Sequence, residues 1–173
     1  MKVNHIVLGH LEENCYVIEN SGYALIIDPG SCPLKIIELV GNNKVLGILV
    51  THYHDDHTGA LDYLKAYYKV PVIDYKNIVS NLGIFNFEMI NFKGHKDDLI
   101  AYYFRNEKIM FTGDFIFKGS IGRCDLDGGN INDMMDSLKR LKTYDKDITL
   151  YPGHGDFTTL KEEEKNNIYL KEA

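Results

Sequence analysis

The chain has 173 residues, a formal net charge of −6, 45% hydrophobic and 25% charged residues. That length suits one ordinary domain, and the composition is that of a folded chain rather than a disordered one. The acidic balance does not favour a nucleic acid or an anionic membrane surface as partner. Cys15, Cys32 and Cys124 are odd in number and form no CxxC pair, which predicts no disulfide framework and fits a reducing compartment. The opening MKVNHIVLGHLEEN has too short an apolar run for a signal peptide, and nothing approaches a membrane-spanning length. The expectation is one soluble, cytoplasmic domain over residues 1–173.

In chain order, KVNHIVL, NCYVIE and YALIID predict three strands, the last closed by the turn signal Pro29-Gly30. PLKIIELVG predicts a short helix with Pro33 in its first turn and Gly41 near its end. KVLGILV is a buried strand that runs straight into THYHDDHTGA, residues 51–60. LDYLKAYYK is helical, with Leu61, Leu64 and Tyr68 on one face. VPVIDY returns as a short strand, and FEMINF, LIAYYF and KIMFTGD predict successive strands. INDMMDSLKRLKTY is an amphipathic helix whose stripe is Ile131, Met134, Met135, Leu138 and Leu141, read as core packing. ITLYPGHGD is a further strand ending in a polar loop. LKEEEKNNIYLKEA predicts one polar helix with its charge run in solvent. Strands outnumber helices, and hairpin-like runs occur in both halves. This order predicts packed sheets with helices outside them.

The run His52-x-His54-x-Asp56-His57 places imidazoles and carboxylates where burial is costly unless a cation or hydrogen bonds compensate. His95, in NFKGHKDD, and His154, in YPGHGDF, also follow predicted strands, as does Asp114 in MFTGDF. Neutral imidazole and carboxylate are good ligands for zinc and its neighbours, and a mononuclear catalytic site needs about three protein ligands. His52, His54, His57, His95 and His154, with at least two aspartates, are enough for two metals sharing a carboxylate. Gly94, Gly113, Gly153 and Gly155 are expected to turn the backbone beside the ligands. His5 and His10 have no ligand partner near them in sequence and stay outside the set.

These motifs carry a resemblance. THYHDDH, His95, TGDFIF and YPGHGDFTT resemble the metal motifs of the metallo-β-lactamase superfamily in the family's order. FKGSIGRCDLDGG and PGHGDFTTLKEE resemble its short hydrolases related to glyoxalase II. The resemblance implies an α+β fold, an αββα sandwich with the metal site at one edge of two sheets. It also implies His52, His54 and His95 at a first metal, Asp56, His57 and His154 at a second, and Asp114 bridging. Asp55 matches a variable position. Asp28 matches a residue that supports the site from behind. His54 stands where the flavodiiron branch has Glu. FKGHKDD departs from the usual TPGHT-x-G, with Lys93, Lys96 and Asp98 replacing Pro, Thr and Gly. Residues 1–173 do not match the glutathione-gripping helical extension of glyoxalase II, so a strong preference for glutathione is not expected.

The expected activity is hydrolysis of a small-molecule acyl thioester by a metal-bridging hydroxide, with Asp56 both ligating and orienting that hydroxide. The cofactors implied are two divalent metal ions, zinc as first choice with iron or manganese admissible. Arg123, in GSIGRCD, is a candidate substrate-binding cation, with a structural salt bridge as the equal alternative. The runner-up is a mononuclear iron persulfide dioxygenase using His52, His95 and Asp114. Other hydrolase chemistries of the fold and a non-enzymatic metal-binding module rank below both.

Overall fold

The computed structural model describes residues 1–173, which divide into two compact units, Met1–Phe87 and Glu88–Ala173. The first unit runs β1 (Lys2–Leu8), β2 (Glu13–Asn20), β3 (Tyr23–Ile27), α1 (Pro33–Val40), β4 (Lys44–Leu49), α2 (Asp55–Thr58), α3 (Leu61–Tyr68) and β5 (Val72–Ile73), then the small hairpin β6 (Asn81–Leu82) and β7 (Phe85–Asn86). Its main sheet has the order β1-β2-β3-β4-β5. Ser21 and Gly22, at φ 49 and 81, turn β2 back on β3, because a two-residue hairpin with both central φ positive matches the strand twist. The helix α1 then crosses over, so β4 pairs parallel with β3, and β5 adds parallel to β4. Ile36 and Val40 of α1 and Leu61 and Leu64 of α3 pack with Val17, Ile26 and Ile48 in one apolar cluster. The expected face of α3 is therefore the core face, with Tyr68 at its margin.

The second unit runs β8 (Glu88–Asn91), β9 (Ile100–Phe104), β10 (Ile109–Gly113), β11 (Ile116–Phe117), β12 (Ser120–Ile121), α4 (Ile131–Leu141), β13 (Thr149–Pro152), β14 (Thr158–Thr159), α5 (Leu160–Asn166) and α6 (Ile168–Glu172). Its sheet has the order β14-β13-β10-β9-β8. β10 and β13 are parallel neighbours whose register breaks between Phe111 and Gly113. Such an irregularity re-aims the chain at a strand end, here immediately before Asp114.

Three expectations are corrected in this unit. The stripe of α4 is narrower than read: Met134, Leu138 and Leu141 are buried, but Ile131 is 50% exposed, because it is the first helical residue and the buried stripe begins one turn later. The tail is two helices rather than one. Asn167 separates them, its side-chain oxygen accepting from the backbone N–H groups of Tyr169 and Leu170, a cap that starts α6. Nor does its charge run lie wholly in solvent. Glu163 is buried and accepts hydrogen bonds from Thr158 Oγ1, Gly119 N and Asn167 Nδ2. No helix is long and apolar enough to cross a membrane.

Candidate metal centre

In the first unit the ligand-bearing run follows β4. Asp28, just past β3, is buried and tied to it. Thr51 N donates to Asp28 Oδ1 at 2.7 Å, and Thr51 Oγ1 donates to Asp28 Oδ2 at 2.6 Å. The hydroxyl proton of Thr51 is thereby committed, so the 3.0 Å contact between Thr51 Oγ1 and His52 Nδ1 requires the imidazole to donate. His57 Nδ1 lies 3.0 Å from Asp28 Oδ2 and donates to it, because a carboxylate only accepts. Both rings therefore carry hydrogen on Nδ1 and offer the lone pair of Nε2. A carboxylate or hydroxyl behind a ligating histidine fixes its tautomer and raises its basicity in this way.

The remainder of the run is locally ordered. Residues 55–58 form a helical turn, α2, closed by His57 N donating to the His54 carbonyl at 3.0 Å and by Thr58 Oγ1 donating to the same oxygen at 3.0 Å. That turn brings His57 Nε2 to 3.8 Å from Asp56 Oδ2. His52 Nε2 faces His54 Nδ1 at 3.0 Å, close to the spacing of about 3.3 Å between two ligand atoms of a tetrahedral zinc with bonds of about 2.0–2.1 Å. Gly30 and Gly59 allow the packing behind the turn: a Cβ on Gly30 would enter the Asp56 carbonyl, and one on Gly59 the Gly30 carbonyl.

In the second unit the parallel neighbours β10 and β13 deliver Asp114 and His154 from their C-terminal ends, with Gly153 N donating to Gly113 O at 2.9 Å. Asp114 Oδ2 lies 3.6 Å from His154 Nε2 and 3.7 Å from His95 Nε2. One carboxylate oxygen thus faces two imidazole nitrogens at nearly equal distance. His95 Nδ1 is 2.8 Å from the carbonyl oxygen of Arg123. A carbonyl only accepts, so His95 too carries hydrogen on Nδ1 and turns its Nε2 lone pair toward Asp114. Gly122 makes that contact possible, because a Cβ there would enter the Asp114 carbonyl and crowd the His95 ring. Gly94, Gly113 and Gly155 have positive φ as their turn role requires, and Gly153 does not.

The guanidinium of Arg123 forms a two-pronged ion pair with Asp125, at 3.0 Å from both Nε and Nη2. Each side chain is exposed, and the pairing holds the Asp125 carboxyl below the usual carboxylate range. The backbone carbonyl of Arg123, rather than its charge, supports His95. In the altered FKGHKDD loop, Lys96 pairs with Asp98 at 3.6 Å, and the Lys93 carbonyl accepts from Ser137 Oγ. Thr51 was missed as an orienting residue, although it stands next to the first histidine. A backbone acceptor such as Arg123 O leaves no signature in residue identity.

The donor set fits divalent transition metals. It consists of imidazoles and carboxylates without cysteine sulfur. In His52, His57 and His95 the hydrogen bonds at Nδ1 make Nε2 the lone-pair nitrogen, the one that can ligate a Lewis acid. His52, His57, His95 and Asp114 are buried, where an uncompensated cluster of such groups is costly.

Comparison with known proteins agrees with this chemistry. The family model for the metallo-beta-lactamase superfamily matches residues 8–85 and 81–154. Hydroxyacylglutathione hydrolase GloC of Haemophilus influenzae is 30% identical, over 98% of this chain and 98% of that protein. Among solved structures, the B3 metallo-beta-lactamase BLEG-1 superposes with a TM-score of 0.92 at 27% identity, covering 98% of this chain and 99% of that one. TTHA1623, solved in a di-iron-bound form, superposes with a TM-score of 0.87 at 30% identity, covering 96% and 99%.

Proposed function

The chain belongs to the metallo-beta-lactamase superfamily and has its α+β fold, and from that premise we propose that it is a binuclear metal-dependent hydrolase of acyl thioesters. His52, His54, Asp56, His57, His95, Asp114 and His154 hold the metals in this reading, with Asp114 serving both. When bound, the metal pair supplies Lewis acidity toward a carbonyl oxygen and a hydroxide nucleophile near neutral pH. The chain's own residues do the rest. Asp28, Thr51 and the Arg123 carbonyl hold the imidazole tautomers, and Asp56 orients the attacking water. A thiolate is a good leaving group, so the absence of an evident general acid among these residues is compatible with a thioester substrate.

The observation that carries the reading is the orientation of His52, His57 and His95, each with Nδ1 committed to an acceptor. A histidine with a purely structural role has no need of an acceptor that fixes its tautomer in this way. The hydroxyacylglutathione hydrolase relative supports the thioester class. The di-iron neighbour supports two metals and admits iron beside zinc. Arg123, engaged by Asp125, is retained as a substrate contact only if it exchanges that partner.

The test is metal-loaded protein assayed against S-lactoylglutathione and thioesters of unrelated thiols, with kcat/KM for each. Hydrolysis is expected across thiols without strong preference for glutathione. A preference of about a thousandfold, worth roughly 4 kcal/mol of transition-state binding, refutes the generalist reading. No hydrolysis of any thioester by protein holding two metals refutes the proposal itself.

A further inference from the structure

A cavity of about 360 Å³ in the first unit is lined by Leu8, Gly9, His10 and Leu11 of the β1–β2 turn, by Gly30 and Ser31, and by Asp55 and Asp56. Two of these residues have no task in the metal chemistry: His10, set apart by its position near the N-terminus, and Asp55, the variable member of the His-x-His-x-Asp-His run. We infer that this cavity is the acyl pocket of the hydrolase, that Asp55 makes it select small uncharged or cationic acyl groups against acyl groups ending in a carboxylate, and that His10 favours a hydroxyl-bearing acyl group. The inference rests on the thioester reading above.

Position, size and charge lead there. Asp56 forms part of the wall, so a group lodged in the cavity lies beside a residue assigned to the reacting centre. The volume is at the small end of the roughly 300–1,000 Å³ typical of ligand pockets, which suits the smaller half of a thioester. Carrier thiols such as glutathione bear carboxylates, and these would meet like charge at Asp55. Buried Leu8 and exposed Leu11 supply apolar contact, while Ser31 and His10 offer hydrogen-bonding groups for a hydroxyl or amino substituent.

Asp55 acts electrostatically. It is exposed at the pocket wall as the first residue of α2, and its carboxylate repels a second carboxylate lodged a few ångströms away. His10 acts by shape and hydrogen bonding from a turn built on the positive φ of Gly9 and Glu12.

The experiment compares thioesters of one thiol that differ only in the acyl group, acetyl, lactoyl and succinyl, on metal-loaded protein. The wild-type protein is expected to hydrolyse the succinyl ester with a kcat/KM at least tenfold below the acetyl ester. Asp55→Lys should raise the succinyl-to-acetyl ratio at least tenfold, and Asp55→Asn should give an intermediate ratio. His10→Ala should lower lactoyl relative to acetyl. Such ratios are insensitive to a uniform loss of metal or folded protein, which elemental analysis and circular dichroism measure in parallel. A second readout uses unreactive thioether analogues with neutral and carboxylate ends, titrated calorimetrically into wild type and Asp55→Lys, where the order of affinities should reverse. Hydrolysis with ratios and affinities unmoved by these substitutions overturns the acyl pocket while leaving the thioester reading intact. Absence of hydrolysis for every ester overturns that reading instead.

Discussion

Asp28 Oδ2 accepts a hydrogen bond from His57 Nδ1 at 3.0 Å, with both side chains buried. The same oxygen accepts from Thr51 Oγ1, which in turn receives His52. One carboxylate thereby sets the tautomers of two candidate ligands. Asp28→Asn keeps the shape and tolerates the residue's φ of 49, since Asn is among the residues that occupy the left-handed region. It removes the charge behind the imidazoles. Metal affinity, measured by chelator competition, should fall by about 10–100-fold while the circular dichroism spectrum is retained. Unchanged affinity would remove Asp28 from the site.

Asp114 Oδ2 is nearly equidistant from two imidazole nitrogens, as expected of a carboxylate that serves both metals. Elemental analysis should show close to two equivalents of transition metal per saturated chain, and Asp114→Ala should reduce both. His5→Ala, on β1 beside Tyr16, should leave the content unchanged. A firm plateau at one iron would favour the mononuclear dioxygenase, and equal loss in both variants would indicate unfolding.

Glu163 is buried, and three donors converge on its carboxylate: Thr158 Oγ1 at 2.7 Å, Gly119 N at 2.8 Å and Asn167 Nδ2 at 2.9 Å. Glu163→Ala leaves those donors without their anion, at a cost of about 3 kcal/mol. For a chain of this size that corresponds to a Tm lowered by roughly 6–12 °C. A shift below about 2 °C in a thermal melt would show that water replaces the carboxylate there.

The cysteines should separate in reactivity. Burial is the main force pushing the Cys15 thiol well above its ordinary range, reinforced by the negative charges of Glu13 and Asp28. Burial also raises Cys124, with Asp125 adding to it. Cys32 is exposed. Because the thiolate is the nucleophile, iodoacetamide near neutral pH should modify Cys32 first and leave Cys15 untouched until the chain unfolds. Mass-spectrometric detection of early Cys15 modification would contradict the packing of β2.

By itself, the sequence determined what depends on local pattern and on the identity of chemical groups. The strands β1 to β4 and β8 to β10, and the helices α1, α3 and α4, follow from apolar periodicity, turn residues and caps that lie inside each segment. The candidate ligands were legible because imidazole and carboxylate recur at strand ends in an order the superfamily shares. Tertiary structure decided what depends on contacts far apart in the chain. The two-residue strands β11, β12 and β14 are too short to carry a period and exist through their pairing. The conversion of residues 55–58 into a helical turn rests on packing between Gly30 and Gly59. The burial of Glu163 required Gly119, 44 residues away, to supply a backbone donor. The Nδ1 proton of His95 was assigned by the carbonyl of Arg123, 28 residues distant. Any residue except proline can offer both backbone groups, so no amino-acid letter announces such a partner before the chain has folded.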